Sequence, residues 1–177
     1  SRKDPAYVGR AKAVRDRSEE VKAEVSRAEK ILEEKYPEFK GRIEKAGLGS
    51  TIYAVKPGDG SAREQAASCQ RVLGASANIA SDYATKRYRS NLINWGMIPF
   101  LYKQGDAAAT ENLPFANGDY IFVPGAKKMI AEKLPGVKAY AVRADGTTAE
   151  FDLATGDMTD DERKIIQAGC LINFYRG

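Results

Sequence analysis

The sequence predicts an α/β or α+β domain with an N-terminal helical segment, and three observations carry that reading. Residues 1–47 hold an apolar stripe at helical spacing, set among charges. From residue 48 onward, short apolar runs alternate with short amphipathic stretches, the pattern of strands and helices in one body. Two alternating segments near the C-terminus flank Asp145-Gly146, a hairpin turn signal. The division is therefore a helical segment over 1–47 and a domain body over 48–177.

In the first segment Val14, Val21, Val25, Ala28, Leu32 and Tyr36 recur at spacings near three, four and seven. Ser18 before Glu19 and Glu20 reads as an N-cap with acids in the first turn. Pro37 and Gly41 interrupt the pattern. Residues 51–55 read as a strand, 56–60 as a tight loop, and 61–73 as a helix stopped by Gly74. A short buried strand follows at 77–80, then a helix over 83–95 ending at Gly96, then a strand over 97–102. Further strands are expected at 120–123, 137–144 and 149–153. Thr159-Asp160-Asp161-Glu162 is a capping box opening the last helix.

Composition narrows the chemistry. The 177 residues include no histidine, which removes the commonest general base and every Ser-His-Asp or Cys-His arrangement. The two cysteines, Cys69 and Cys170, fall in helical segments and read as buried structural thiols. They cannot complete a four-ligand zinc or iron–sulfur site, and they suggest a reducing, cytoplasmic setting. No apolar run reaches membrane-spanning length, so no membrane partner is expected. The start at Ser1-Arg2-Lys3 suggests an excised or processed chain. The net charge of +4 is dispersed: residues 1–47 carry 13 Lys/Arg against 10 Asp/Glu, the mixed pattern of a solvated helix face. Nucleic-acid binding is correspondingly not expected. Lys86, Arg87 and Arg89 with Tyr83 and Tyr88 form the one basic, aromatic helix, read as solvated or domain-facing.

One segment carries chemistry: Gly58-Asp59-Gly60-Ser61-Ala62-Arg63-Glu64-Gln65. A glycine-bearing loop leaves a strand and delivers a serine to the start of a helix. Glycines let the backbone approach a ligand, and the unpaired N–H groups of a helix start favour anions. Arg63 adds a bidentate clamp for a carboxylate or phosphate. The spacing of Ser61 and Glu64 also satisfies a capping box, and on spacing alone a cap outranks a catalytic role. A phosphate-binding P-loop lacks its Gly-Lys-Ser/Thr ending, and a nucleophile elbow lacks both its second glycine and a histidine.

Gly60-Ser61-Ala62-Arg63-Glu64-Gln65-Ala66-Ala67 resembles the Gly-Ser-Ser-Arg-Glu-His-Ala signature of the aconitase and isopropylmalate isomerase family. The likeness continues in order. Leu73-Gly74 and the small residues up to Ala80 resemble its Leu-Gly-Gly segment, and Asn91 with Gly96-Met97-Ile98-Pro99 resembles its Asn…Gly-Leu-Leu-Pro. Ala168-Gly169 with Asn173 resembles its terminal Ala-Gly-x-x-x-Asn. Residues 2–12, the Ser-Ala-Arg-Glu-Gln variant and the run from Tyr88 to Gly96 resemble a bacterial aconitase-like hydratase branch.

The resemblance implies the family's swivelling β/β/α C-terminal domain, which closes over a [4Fe–4S] cluster held by domains outside this chain, with no cluster in the isolated chain. It implies hydro-lyase chemistry on a hydroxy di- or tricarboxylic acid such as citrate or isocitrate. Ser61 would be the base and Arg63 would bind a substrate carboxylate, with Gly60 and Ala62 beside the substrate. The family's second serine is Ala62 here, and its two histidines in this region are Gln65 and Tyr88. The family's upstream substrate-binding arginine has no counterpart, and that role does not pass to Arg10 or Arg89. The implied partners are the remaining aconitase domains of the same protein, and the isolated chain is expected to be inactive. Two alternatives stay open: a separate small subunit of an isopropylmalate isomerase-type dehydratase, and a non-catalytic RNA- or carboxylate-binding domain.

Overall fold

A computed structural model describes residues 4–104, 107–108 and 112–176. Helix α1 (Tyr7–Asp16) ends where Arg17 adopts a left-handed conformation, and α2 (Glu19–Lys35) starts afresh on Ser18. The Ser18 hydroxyl accepts the Val21 N–H at 3.3 Å, as its sequence predicts. A short 3₁₀ turn (Pro37–Phe39) stops the segment at the expected proline. Strand β1 (Ser50–Ala54), helix α3 (Arg63–Val72), strand β2 (Ala75–Ala80), helix α4 (Lys86–Asn94) and strand β3 (Ile98–Leu101) follow. Then come β4 (Lys103–Gln104), β5 (Ala107–Ala108), β6 (Tyr120–Phe122), α5 (Ala126–Ala131), β7 (Gly136–Val142), β8 (Thr148–Ala154), α6 (Asp160–Ala168) and α7 (Leu171–Arg176).

Six strands form one mixed sheet in the order β1-β2-β3-β8-β7-β6, and β4 pairs with β5 in a small separate ribbon. The first three strands are parallel, each pair joined by a helix, and β8, β7 and β6 run antiparallel. The join is slight: β3 meets β8 only at Leu101 and Ala154. Pro99 sits in β3 facing that gap in pairing, where its missing N–H costs the ladder nothing.

Paired residues share a sheet face, so Ala77, Ile79 and Phe100 lie on one side with Ala139, Ala141, Phe151 and Leu153. That side forms the main core, closed by Met129 and Ile130 of α5, Phe115 and Ile166 of α6. The opposite side is covered in two parts. Helices α3 and α4 lay Ala67, Tyr88 and Leu92 over the parallel strands, while α2 lays Ala28 and Leu32 over Tyr140 and Val142. The α/β class thus holds, and the helical stripe of the N-terminal segment packs on the strands of the domain body.

Local chemistry accounts for most boundaries. The β7–β8 turn forms at Arg143–Gly146, with Gly146 at φ +83° and its N–H on the Arg143 carbonyl at 3.0 Å. The Thr159–Glu162 capping box is complete, with reciprocal bonds of 2.8 and 3.2 Å. Helices α3 and α4 start two and three residues later than the sequence suggests, and two larger features depart from the sequence reading. The last helix is broken into α6 and α7 by Gly169, which is left-handed. Helix α5 is short and lacks a side-chain cap, and the buried Arg163 of α6 closes its far end by donating to the Ile130 carbonyl at 3.2 Å.

Candidate active site at the start of helix α3

The loop after β1 is fastened to the segment after β2. The Val55 carbonyl accepts the Asp82 N–H at 3.0 Å and the Pro57 carbonyl accepts the Ala84 N–H at 2.9 Å. Lys56 and Asp82 add an ion pair at 3.2 Å. Lys56 holds the Asp82 carboxyl below the usual carboxylate range, aided by the Tyr83 N–H. A depressed carboxylate stabilises above its unfolded pKa and loses that contribution as pH falls, so this link weakens only in acid.

Gly58 is the tightest point of the loop. Its φ is +100°, and a Cβ there would lie 2.5 Å from Cβ and Cγ of Tyr88, so glycine is required twice over. Its carbonyl accepts two bonds, from Arg63 Nε at 3.1 Å and from the Thr85 hydroxyl at 3.0 Å. Thr85 in turn caps α4, accepting the Tyr88 N–H at 3.2 Å. Arg63 thus reaches back over the loop and holds it closed.

This closure corrects the capping-box reading of Ser61. Helix α3 starts at Arg63, two residues later than the sequence suggests, and Ala62 is the N-cap position with no side-chain cap bond. Ser61 lies in the loop before it, exposed, and its hydroxyl has no partner among the described residues. Gly60 and Ala62 beside it are exposed as well. The first N–H groups of α3 have no partner within the helix. Arg63 is half-buried and its two Nη groups are uncommitted among the described residues. A free hydroxyl, a guanidinium and a helix start therefore occupy one stretch of surface suited to an anion, while Asp59 and Glu64 weaken the positive field.

Behind the loop, Tyr88 is 2% exposed and its hydroxyl meets the side-chain amides of Gln70 and Asn78, each at 3.0 Å. Burial holds the phenol above its usual pKa, so it remains a neutral hydrogen-bonding group. Tyr88→Phe is expected to strip both amides of their partner at a cost of about 1–3 kcal/mol, read from urea unfolding with unchanged m-value. An unchanged midpoint would show that the network does not support the fold.

The remaining candidates fall elsewhere. Arg89 is a tie between elements, binding Glu162 at 3.3 Å and the Asp157 carbonyl at 2.6 Å. Tyr88 is buried and Tyr83 turns its hydroxyl onto the Phe100 carbonyl at 3.0 Å, so α4 offers no aromatic platform for bases. Cys69 is exposed and Cys170 partly so, which corrects the expectation of two buried thiols. Trp95 is partly buried and packs against the α3–α4 core. A shallow cleft of about 490 Å³ between α2 and the β7–β8 turn and a cavity of about 90 Å³ between α2 and β6 are both remote from residues 58–63. Thr85 carries no signal of its role in the sequence, because its bond to Gly58 joins positions 27 apart.

The glycine motifs have structural roles. Gly74, at φ +87°, closes α3 against Arg15 of α1. Gly96, at φ +73°, lets the end of α4 press on the backbone of Gly169, and Asn173 donates to the Ala168 carbonyl at 3.0 Å.

Known proteins share this segment. The profile of the aconitase C-terminal domain matches residues 10–105. Aconitate hydratase A of Rickettsia bellii is 28% identical over 72% of this chain and 14% of its own length. Aconitate hydratase A of Mycobacterium avium is 31% identical over 66% of this chain and 12% of its own length. The chain thus spans about one-seventh of the curated relatives it matches. Among solved structures, a 3-isopropylmalate dehydratase (LeuD) from Methanocaldococcus jannaschii aligns with 21% identity and a TM-score of 0.42, over 77% of this chain and 69% of that one. With more than half of its length matched by the profile, the chain belongs to the aconitase C-terminal domain family.

Proposed function

We propose that this chain forms one wall of the active site of a hydro-lyase acting on a hydroxy di- or tricarboxylic acid. In this reading Ser61 takes the proton from the carbon beside a substrate carboxylate, and Arg63 holds that carboxylate. The C–H electron pair becomes the new double bond as hydroxide leaves the neighbouring carbon. The observation that carries the reading is a Ser61 hydroxyl uncommitted among the described residues, close in sequence to an arginine whose one hydrogen bond among them is through Nε. An alcohol is too weak an acid to rest as alkoxide, so the α3 start and Arg63 must favour the charged form when substrate is enclosed. Gly60 leaves space for close approach, and Ala62 withholds the second hydroxyl that the family signature carries, which points to substrate contacts unlike those of citrate.

An iron–sulfur cluster is the family's Lewis acid, and the donors of this chain do not suit one. There are two cysteines and no histidine, and no metal-ligand cluster occurs among the described residues. We assign the cluster to other domains of the same polypeptide, or to a separate large subunit, and derive no step through it. The exposure of Ser61 fits a half-site that a second surface completes. No described helix is long and apolar enough to cross a membrane, and a cytoplasmic setting is our reading.

The test is to express the full reading frame around this chain, reconstitute it anaerobically with iron and sulfide, and assay citrate, isocitrate, aconitate, methylcitrate and isopropylmalate. Dehydration or hydration of at least one is expected, with none by the isolated chain. A cluster-loaded protein that turns over none of them would overturn the reading.

A further inference from the structure

We infer that Thr85 is a positioning residue for substrate-carboxylate binding, acting on Arg63 through the carbonyl of Gly58. The inference rests on the role of Arg63 proposed above. The Thr85 hydroxyl has one proton and spends it on the Gly58 carbonyl at 3.0 Å, while a lone pair accepts the Tyr88 N–H at 3.2 Å. Its backbone is extended, at φ −142° and ψ 145°, and its branched side chain has few rotamers. The oxygen is therefore fixed by the start of α4. The same Gly58 carbonyl accepts Arg63 Nε at 3.1 Å, which uses both of its lone pairs.

This arrangement decides how Arg63 meets a carboxylate. A guanidinium binds a carboxylate bidentately either through Nε with one Nη or through its two Nη groups. With Nε committed to Gly58, the end-on pair of Nη groups remains. The ligand class is thus a carboxylate approached along the guanidinium axis, with a register set by Thr85. Lysine cannot replace Arg63 here, because one ammonium cannot hold the Gly58 carbonyl and present a planar fork.

The test uses the full-length protein and tricarballylate, a tricarboxylate with no hydroxyl to eliminate, as the binding probe. Thr85→Val is expected to weaken tricarballylate binding and raise KM by about tenfold while kcat stays within about threefold, the signature of lost uniform binding. Thr85→Ser, which keeps the hydroxyl, should restore both constants to within about twofold. A lowered Tm with unchanged KM and binding in Thr85→Val would mark Thr85 as a helix cap alone and overturn the inference. Arg63→Lys leaves the α4 cap untouched and should lose binding as fully as Arg63→Gln; wild-type affinity in the lysine variant would also overturn it. Unchanged binding in Arg63→Gln would sink the role of Arg63 itself, whereas weakened binding there with a silent Thr85→Val would sink only the part given to Thr85.

Discussion

Replacing Ser61 with alanine in the full-length protein is expected to lower kcat by about 10²–10⁴-fold, the usual contribution of a positioned base. KM for the same substrate should change little, because the carboxylate contacts proposed for Arg63 and the α3 start are kept. Stability should be nearly unaffected. The hydroxyl makes no bond among the described residues and Ser61 is exposed, so its loss leaves no buried donor or acceptor unpaired. This sets the variant apart from an ordinary loss of a helix cap, which costs about 1 kcal/mol. Steady-state kinetics with thermal unfolding checks it. Wild-type turnover would remove Ser61 from the chemistry, and a clear fall in Tm with turnover intact would restore the capping role.

The largest effect on stability is expected at Gly96. Alanine there must hold φ near +73°, and its Cβ would fall inside the carbonyl of Gly169. The obstacle is backbone at the α6–α7 junction, which cannot swing aside as a side-chain tip does. The left-handed conformation costs about 1–2 kcal/mol and the overlap about 1–3 kcal/mol more. Together these approach half of the stability of a small domain, and a Tm lower by about 10 °C is expected. Gly9 is the control. It lies within α1 with open space where a Cβ would project, so Gly9→Ala should raise stability by up to about 1 kcal/mol. Equal effects at the two glycines would show that the α4–α6 contact is not a tight backbone approach.

Both expectations depend on distances in space, and they divide what is readable in the chain from what is not. Where a boundary rests on neighbours in sequence, the residues declare it. Ser18 caps α2, Thr159 and Glu162 close their box, and Asp145-Gly146 turns the hairpin, because each bond joins residues two to three positions apart. The alternation of β7 and β8 shows in the same way, since buried and exposed faces alternate residue by residue. Helix α5 is the counterexample: six residues with no side-chain cap, ended by an arginine 33 positions away.

The candidate site divides along the same line. Its placement at residues 58–65 and the proposal that it takes an anion follow from glycines, a serine and an arginine in order. The ordered motifs likewise point to the family that the profile establishes. The state of each group does not follow. Ser61 and Glu64 have the spacing of a capping box, yet the Gly58 carbonyl, gripped by Arg63 and by Thr85 from another helix, sets the loop so that α3 begins only at Arg63. Cys69 sits in a helix whose own pattern does not reveal its buried face, and it points to solvent. Arg89 reads as surface charge until α6 supplies Glu162, 73 residues on. The sequence by itself determined most of the elements, the candidate segment and the family. Only the tertiary structure decided which polar groups are committed to the fold and which are left free, because hydrogen-bond partners distant along the chain are chosen by packing.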